Sequence, residues 1–498
     1  MNHNDAASGR RPLRIAVIGA GPGGLCTAVA LDRAGFHDYT LYEKGAGVGG
    51  TWYHNRYPGC ACDVASTLYS FSFAPKLDWT RPFGTQAEIL AYMEGIAERY
   101  GILSRCRFER EATRLVWDER AAFWRIGFAS GEEVEAEIVV SALGMFNELA
   151  WPSIPGRDAF AGVSFHSARW NWDHDLSGRR VGVIGSAASA VQFVPEIAKQ
   201  AAHVSLFQRT ANWVLPKDDA PYSAEEIRAH CADPSIFAKQ REENYRFLDD
   251  LMTMSNPELM AKMAAEGEKA LGVVQDPLVR EKLRPRHPYG CKRPLLSNDY
   301  YPAFNRPNLE LVTDTIERIE PEGVVTIDGR RRAFDTLIYA TGFETTKYLS
   351  ALDVRGRGGK RIDEAWNDGA IAYLGITTAG FPNLFMLYGP NTNNGSILEM
   401  IESQVDHVLA QVERIAREDL AWVDVRPDAM RRFNDELQRQ IAGVSVWQAS
   451  CNGYYRAPSG RIVTQWPGSM SGFKARARTL DREAFETGRA RQTSTARR

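Results

Sequence analysis

An α/β fold built of two parallel-sheet units is predicted by three features of the 498-residue chain. A strand, a glycine-rich turn and an apolar helix follow one another near the N-terminus, and the same order recurs near residue 180. A matching apolar strand follows each copy at a distance. Strands that alternate with helices pair in parallel and bury both faces of their sheet. At about 150 residues per domain the length allows two or three domains.

The first unit opens with LRIAVIGAGPGGLCTAVALDRAG, read as a strand from Leu13 to Ile18, a turn, then a helix. Gly19, Gly21 and Gly24 spell GxGxxG. The first glycine permits the tight turn, the second lets backbone approach a pyrophosphate, and the third lets helix and strand pack closely. The next strand, YTLYEKG, ends in Glu43, near the spacing of about 20 residues at which a carboxylate meets a ribose hydroxyl. An acid there favours a free 2′-hydroxyl, as in FAD or NAD. EAEIVVSALG, from Glu135 to Gly144, reads as the strand that closes this Rossmann-like unit.

The second unit opens with RRVGVIGSAASAVQFVPEIAKQ, where the strand Val181 to Ile184 runs into Gly185, Ser186, Ala187, Ala188, Ser189 and Ala190. Gly185, Ser186 and Ser189 are candidate cofactor contacts; Ala187 and Ala190 stand where the pattern has glycine. HVSLFQRT ends in Arg209 and Thr210 in place of an acid, and a cation suits a 2′-phosphate, so NADP(H) is the predicted nicotinamide. The Asp328-Gly329 turn marks a hairpin, and FDTLIYATGFE, from Phe334 to Glu344, closes the unit. Residues 218–285 carry helical periodicity and many charges and read as a helical insertion. A long helix from Ile397 toward Arg417 follows LFMLYGPNTNNGS and returns the chain to the first domain. The predicted organisation is therefore 10–147 with 376–486, 148–217 with 286–375, the insertion 218–285, and a flexible tail over 487–498.

Composition removes other classes. A net charge of -2 with 24% charged residues leaves no nucleic-acid footprint. The apolar stretch Leu13 to Leu31 is broken by GAGPGG, so neither a signal peptide nor a transmembrane segment is expected, and a cytoplasmic location is. The seven cysteines are scattered without a CxxC pair, which predicts neither a disulfide scaffold nor a metal site and fits a reducing compartment. Cys60 and Cys62 form only CxC, whereas a redox dithiol needs an exposed thiol of low pKa.

Five stretches carry a resemblance. FAGVSFHSARWN places Phe160, Gly162, His166 and Trp170 on the fingerprint FxGxxxHxxxW, with Asn171 where Pro or Asp is usual. GGTWYHNRYPGCACD meets GGxW, four residues, Tyr or Phe, then PGxxxD. CKRPLLSNDYY, YATGFE and YGPNTN extend the match over nearly the whole chain. In these the chain resembles the Baeyer-Villiger monooxygenases, among the class B flavoprotein monooxygenases. The resemblance implies FAD, NADP(H) and O₂, and oxidation of a ketone to an ester or lactone through a flavin peroxide. It assigns Arg293 to the developing negative charge, Asp63 to holding Arg293, and His166 and Trp170 to the junction between domains. Gly50, Thr51, Trp52, Asp63 and Tyr69 fall to the flavin, and Lys292 to the 2′-phosphate. Asp63 taken alone could instead cap a helix over VASTLYSF. The loop CNGYYRAPSG has Gly453, Tyr454 and Tyr455 where relatives often have Trp, and no role is carried over to it. A heteroatom oxygenase making N- or S-oxides is the rival reaction, and a non-catalytic FAD- and NADP-binding protein the rival class. Nothing in the sequence sets an oligomeric state.

Overall fold

A computed structural model describes residues 11–451 and 453–489. Two five-stranded sheets form its framework. In the first, Ile15–Ile18 lies at the centre, between Tyr39–Tyr42 on one side and Ile138–Ser141 on the other, with Cys106–Arg107 and Leu384–Met386 at the edges. In the second, Arg180–Ile184 takes the central place between His203–Phe207 and Thr336–Tyr339, with Leu309–Val312 and Val163–His166 outermost. Every pairing in both sheets is parallel. Ile15–Ile18 is buried throughout, as the Val/Ile-rich run of a strand covered on both faces requires.

Several boundaries differ from the sequence expectation, each for a local reason. EAEIVVSALG is two strands: Glu133–Ala136 pairs antiparallel with Phe123–Phe128, and Ile138–Ser141 joins the parallel sheet. Glu137 makes the break. Its N–H donates to the Arg14 carbonyl at 2.9 Å, and its carboxylate accepts the Arg14 N–H at 3.0 Å and pairs with Arg11. The chain also returns to the first unit earlier than Ile376, because Asp353–Arg355 pairs in parallel with Arg114–Val116. Leu349, Val354, Ile362 and Trp366 then pack with Trp117 and Trp124 in one apolar cluster. Thr487 and Gly488 belong to the strand Phe485–Gly488, paired antiparallel with Trp422–Val425; the expected tail from 490 on lies outside the described residues.

The insertion consists of the helices Ala224–Ala232, Pro234–Leu251, Pro257–Leu271 and Pro277–Leu283. Each of the last three starts on a proline just after an Asp or Asn, Asp233, Asn256 or Asp276, whose side chain accepts a first-turn N–H. Proline loses nothing at that position, since its missing N–H would have no helical partner, and the acidic or amide side chain caps the next ones. Arg241 ties the insertion to the first unit: it donates to the Thr67 and Ser70 carbonyls at 2.7 and 2.8 Å and pairs with Glu399 on the helix Ile397–Arg417.

One cysteine expectation is corrected. Cys291 and Cys451, 160 residues apart, form a disulfide. Scatter and an odd count argue against a scaffold of many bridges; they carry no information about a single long-range one. Among the described residues no helix is long and apolar enough to cross a membrane.

Candidate active site

The two glycine turns open on one cavity of about 630 Å³, lined from both units, within the range of ordinary ligand pockets. Gly19 sits at φ +108°, and a Cβ there would lie 2.7 Å from the Ala142 carbonyl oxygen. Gly24 is tighter still: its Cβ would fall 2.0 Å from the Gly19 oxygen, so helix and strand touch backbone to backbone. Gly21 meets Gly50 across the cavity floor, and a Cβ on Gly50 would be 2.8 Å from the Gly21 Cα. Helix Pro22–Arg33 has no side-chain cap and no acid in its first turn. Its leading N–H groups and the positive end of its dipole are left for an anion. Glu43, buried, is held by N–H donation from Ala20 at 2.8 Å and Gly45 at 2.7 Å, one to each carboxylate oxygen.

The second turn repeats this geometry. Gly185 stands at φ +106°, where a Cβ would be 2.4 Å from the Ala340 oxygen. Ala187 (φ −90°, ψ −158°) has nearly the conformation of Gly21 (φ −76°, ψ −169°). The negative φ makes alanine free of backbone strain there. Ala187, Ala188 and Ser189 line the cavity, and helix Ala188–Ile197 again begins without a side-chain cap or an acid. Ser186 is buried behind them, its carbonyl accepting from Asn212 Nδ2 at 2.9 Å. Arg209 and Thr210, both exposed, follow the end of strand His203–Phe207. The Lys292 ammonium is half-buried, and burial first, then the Arg209 charge, lowers its pKa. Neither cation has an acidic partner among the described residues, an arrangement that a bound dianion would relieve.

On the lining of the same cavity, Arg293 and Asp63 form a bidentate pair: Nη2 lies 2.6 Å from both Asp63 oxygens and Nε 3.1 Å from Oδ2. The Asp63 charge raises the Arg293 pKa further, against the opposing effect of burial. No helix follows Asp63, so capping is not its role. Thr51 and Trp52 begin the short helix Thr51–His54 at the cavity edge, and Trp52 Nε1 donates to the Tyr69 hydroxyl at 2.8 Å, with the rings edge to face at 5.6 Å. The thiols of Cys60 and Cys62 also line the cavity but are buried, and burial pushes the Cys60 pKa up to about 12 and that of Cys62 higher. Neither is the thiolate that dithiol chemistry needs.

His166 and Trp170 lie behind the cavity wall. His166 is 1% exposed, accepts the Ala168 N–H on Nδ1 at 3.1 Å, and is held neutral, its pKa lowered to about 4 by burial and then by Arg169. Its ring meets Phe343, a cavity residue, at 6.2 Å. Trp170 packs edge-on against Phe165 and, at 5.1 Å, Phe193 of the helix Ala188–Ile197. Gly162 lets its strand approach the Asp335 carbonyl, which a Cβ would meet at 2.7 Å. The fingerprint thus shapes the second sheet's edge and touches the cavity through Phe343.

Other lining residues escaped the sequence reading. Gln192 joins the units across the cavity, donating to the Ala61 carbonyl at 2.9 Å and accepting from Tyr57 at 3.0 Å. Phe146 stands 5.6 Å from Phe343 and 6.2 Å from Tyr454, an aromatic wall whose members lie far apart in sequence. Gln192 and Phe146 lie in none of the quoted motifs, and YATGFE and CNGYYRAPSG, which hold Phe343 and Tyr454, do not mark the two as neighbours.

Known proteins share this arrangement. A family profile described as pyridine nucleotide-disulphide oxidoreductase matches residues 16–233. A Baeyer-Villiger monooxygenase of Pseudomonas aeruginosa is 40% identical, over 97% of this chain and 93% of its own. One of Streptomyces coelicolor is 39% identical, over 95% and 92%. Among solved structures, an oxidized steroid monooxygenase bound to NADP superposes with a TM-score of 0.85 at 31% identity, covering 96% of this chain and all (100%) of that one. OTEMO in complex with FAD and NADP gives 0.86 at 30% identity, over 96% and 99%. The chain belongs to the Baeyer-Villiger monooxygenase family.

Proposed function

We propose that the protein is an NADPH- and O₂-dependent flavoprotein monooxygenase that oxidises a ketone to an ester or lactone. The observation that carries this reading is the Arg293–Asp63 pair facing the same cavity as two uncapped glycine-turn helices. The residues present fit both cofactors: the Gly21–Gly50 cradle is open because neither residue has a Cβ, and Lys292 and Arg209 form a cationic site with no acidic partner among the described residues.

FAD, when bound, accepts hydride from NADPH and activates O₂. The chain's own residues do the rest. The N–H groups at the start of Pro22–Arg33 bind the FAD diphosphate, and Glu43, fixed by two backbone donors, accepts from the adenosine ribose. The start of Ala188–Ile197 binds the NADP diphosphate, and Lys292 with Arg209 binds the 2′-phosphate. Trp52 and Tyr69, locked by their shared hydrogen bond, bound the flavin's side of the cavity. Arg293 is charged at every accessible pH and stabilises negative charge as it develops on oxygen. One such preorganised contact lowers a barrier by about 3 to 4 kcal/mol. Asp63 is its positioning residue. Phe146, Phe343 and Tyr454 keep the Arg293 side of the cavity poor in water, where that charge acts most strongly. His166 and Trp170 support the wall from behind. The substrate is a small ketone, and the cytoplasm, where NADPH is maintained, is the compartment of this reading.

The test is NADPH oxidation by the flavin-loaded protein against a panel of cyclic, aryl and linear ketones, amines and sulfides, with products identified by mass spectrometry. Esters or lactones support the proposal. Heteroatom oxides alone would move the protein to the rival reaction, and absence of NADPH-driven oxygen uptake would leave a binding protein.

A further inference from the structure

The disulfide joins two segments that the proposed reaction needs together. Cys291 directly precedes Lys292 and Arg293, and its partner Cys451 stands three residues before Tyr454. Tyr454 lines the cavity, and its hydroxyl is buried without a hydrogen-bond partner among the described residues. Among the described residues other bonds hold the loop as well: Arg456 donates to the Trp447 carbonyl and, at 2.6 Å, to that of Gly460. The Tyr454 carbonyl accepts from Thr345 Oγ1 at 3.3 Å, and the Tyr455 carbonyl from the Val463 N–H at 3.0 Å. Gly453 lies near Lys292: a Cβ added to it would be 3.6 Å from the lysine Cγ. The bond between the sulfurs joins the start of the loop covalently to the Lys292–Arg293 segment. The remaining cysteines, Cys26, Cys60, Cys62, Cys106 and Cys231, are unpaired. In a reducing compartment an isolated bridge of this kind is one that opens and closes.

We propose that Cys291 and Cys451 form a thiol-redox clamp on the active-site loop. Bonded, they hold Tyr454 beside Arg293 and close the cavity; reduced, they release the loop, and turnover shifts from oxygenated product to NADPH + H⁺ + O₂ → NADP⁺ + H₂O₂. The inference rests on the monooxygenase reading above. Closure is balanced by thiol–disulfide exchange with a small-molecule disulfide. The Cys451 thiolate, less buried than Cys291, attacks that disulfide and expels one thiol. The Cys291 thiolate then displaces the second. Two electrons pass to the oxidant, and both sulfhydryl protons leave on the two small thiols.

The experiment equilibrates the full-length, flavin-loaded enzyme in graded ratios of reduced to oxidised dithiothreitol. At each ratio, alkylation with mass spectrometry reads Cys291 and Cys451, hydrogen exchange reads residues 449–460, and product and hydrogen peroxide are measured per NADPH consumed. Reduction is expected to expose both thiols, raise exchange across the loop, and lower product per NADPH several-fold at constant flavin content. Cys451→Ser should sit at the reduced level and ignore the ratio, and Tyr454→Ala should couple poorly even when oxidised. The clamp is overturned if the two cysteines alkylate freely after oxidation, or if loop exchange and product yield are the same in both states. Where no substrate is turned over, the proposed function fails while alkylation and hydrogen exchange still decide the clamp.

Discussion

Arg293 and Asp63, 230 residues apart, meet in a bidentate ion pair on the wall of the cavity that both glycine turns share. Two carboxylate oxygens on one guanidinium fix the plane of the arginine, which a lone cation on a flexible stem would not keep. Arg293→Ala should leave reduction by NADPH within a few-fold of wild type and lower the rate of product formation by about 10²- to 10³-fold. Arg293→Lys should recover little, because an ammonium cannot make the paired contact. Stopped-flow absorbance and product analysis separate the two steps.

Lys292 and Arg209 should select the nicotinamide. Replacing either with Ala removes charge from the proposed 2′-phosphate site and should raise the NADPH KM about tenfold while changing the NADH KM far less. Equal effects on both would remove the site from the account.

The two turns should fail separately. Gly24→Ala would put a Cβ 2.0 Å from the Gly19 oxygen, so flavin content and melting temperature should both fall. Gly185→Ala, strained at φ +106° and 2.4 Å from the Ala340 oxygen, should weaken NADPH binding in protein that still holds flavin. Ala187→Gly, by contrast, should leave NADPH binding nearly unchanged, since Ala187 is already unstrained. Flavin absorbance and a titration with NADP⁺ distinguish the three.

Acid should destabilise the fold partly through His166. Its folded pKa of about 4 lies below the ordinary value of 6.5, so its contribution is present above 6.5 and lost as pH falls toward 4. The shift caps that contribution at roughly 3 kcal/mol. Asp424, raised to about 7 by burial, acts the other way: it favours the fold at low pH and loses that effect as pH rises through 7. His166→Asn should flatten the acid limb of melting temperature against pH, and Asp424→Asn should improve stability above pH 7 relative to wild type. A parallel shift at all pH values would contradict both assignments.

Local chemistry made much of this legible. The turns of Gly19–Gly24 and Gly185–Ala190, the acid at Glu43 and the cation at Arg209 are set by short spacings. The helix Ile397–Arg417 runs over the span read from the sequence. What escaped depends on contacts far apart in sequence. Glu137 splits a strand because Arg11 and Arg14 arrive from the N-terminus, and Asp353–Arg355 leaves the second unit because an edge strand at Arg114–Val116 is free to pair. The Cys291–Cys451 bridge and the Phe146–Phe343–Tyr454 wall are likewise assembled only by the fold.

The central claim is oxygen insertion beside Arg293. The most direct measurement is turnover of an accepted ketone under ¹⁸O₂ by wild type and Arg293→Ala, with the ester or lactone read by mass spectrometry. One ¹⁸O atom is expected in each wild-type product molecule, and almost no product from the variant despite continued NADPH oxidation. Unlabelled product, or labelled product in equal yield from both proteins, would contradict it.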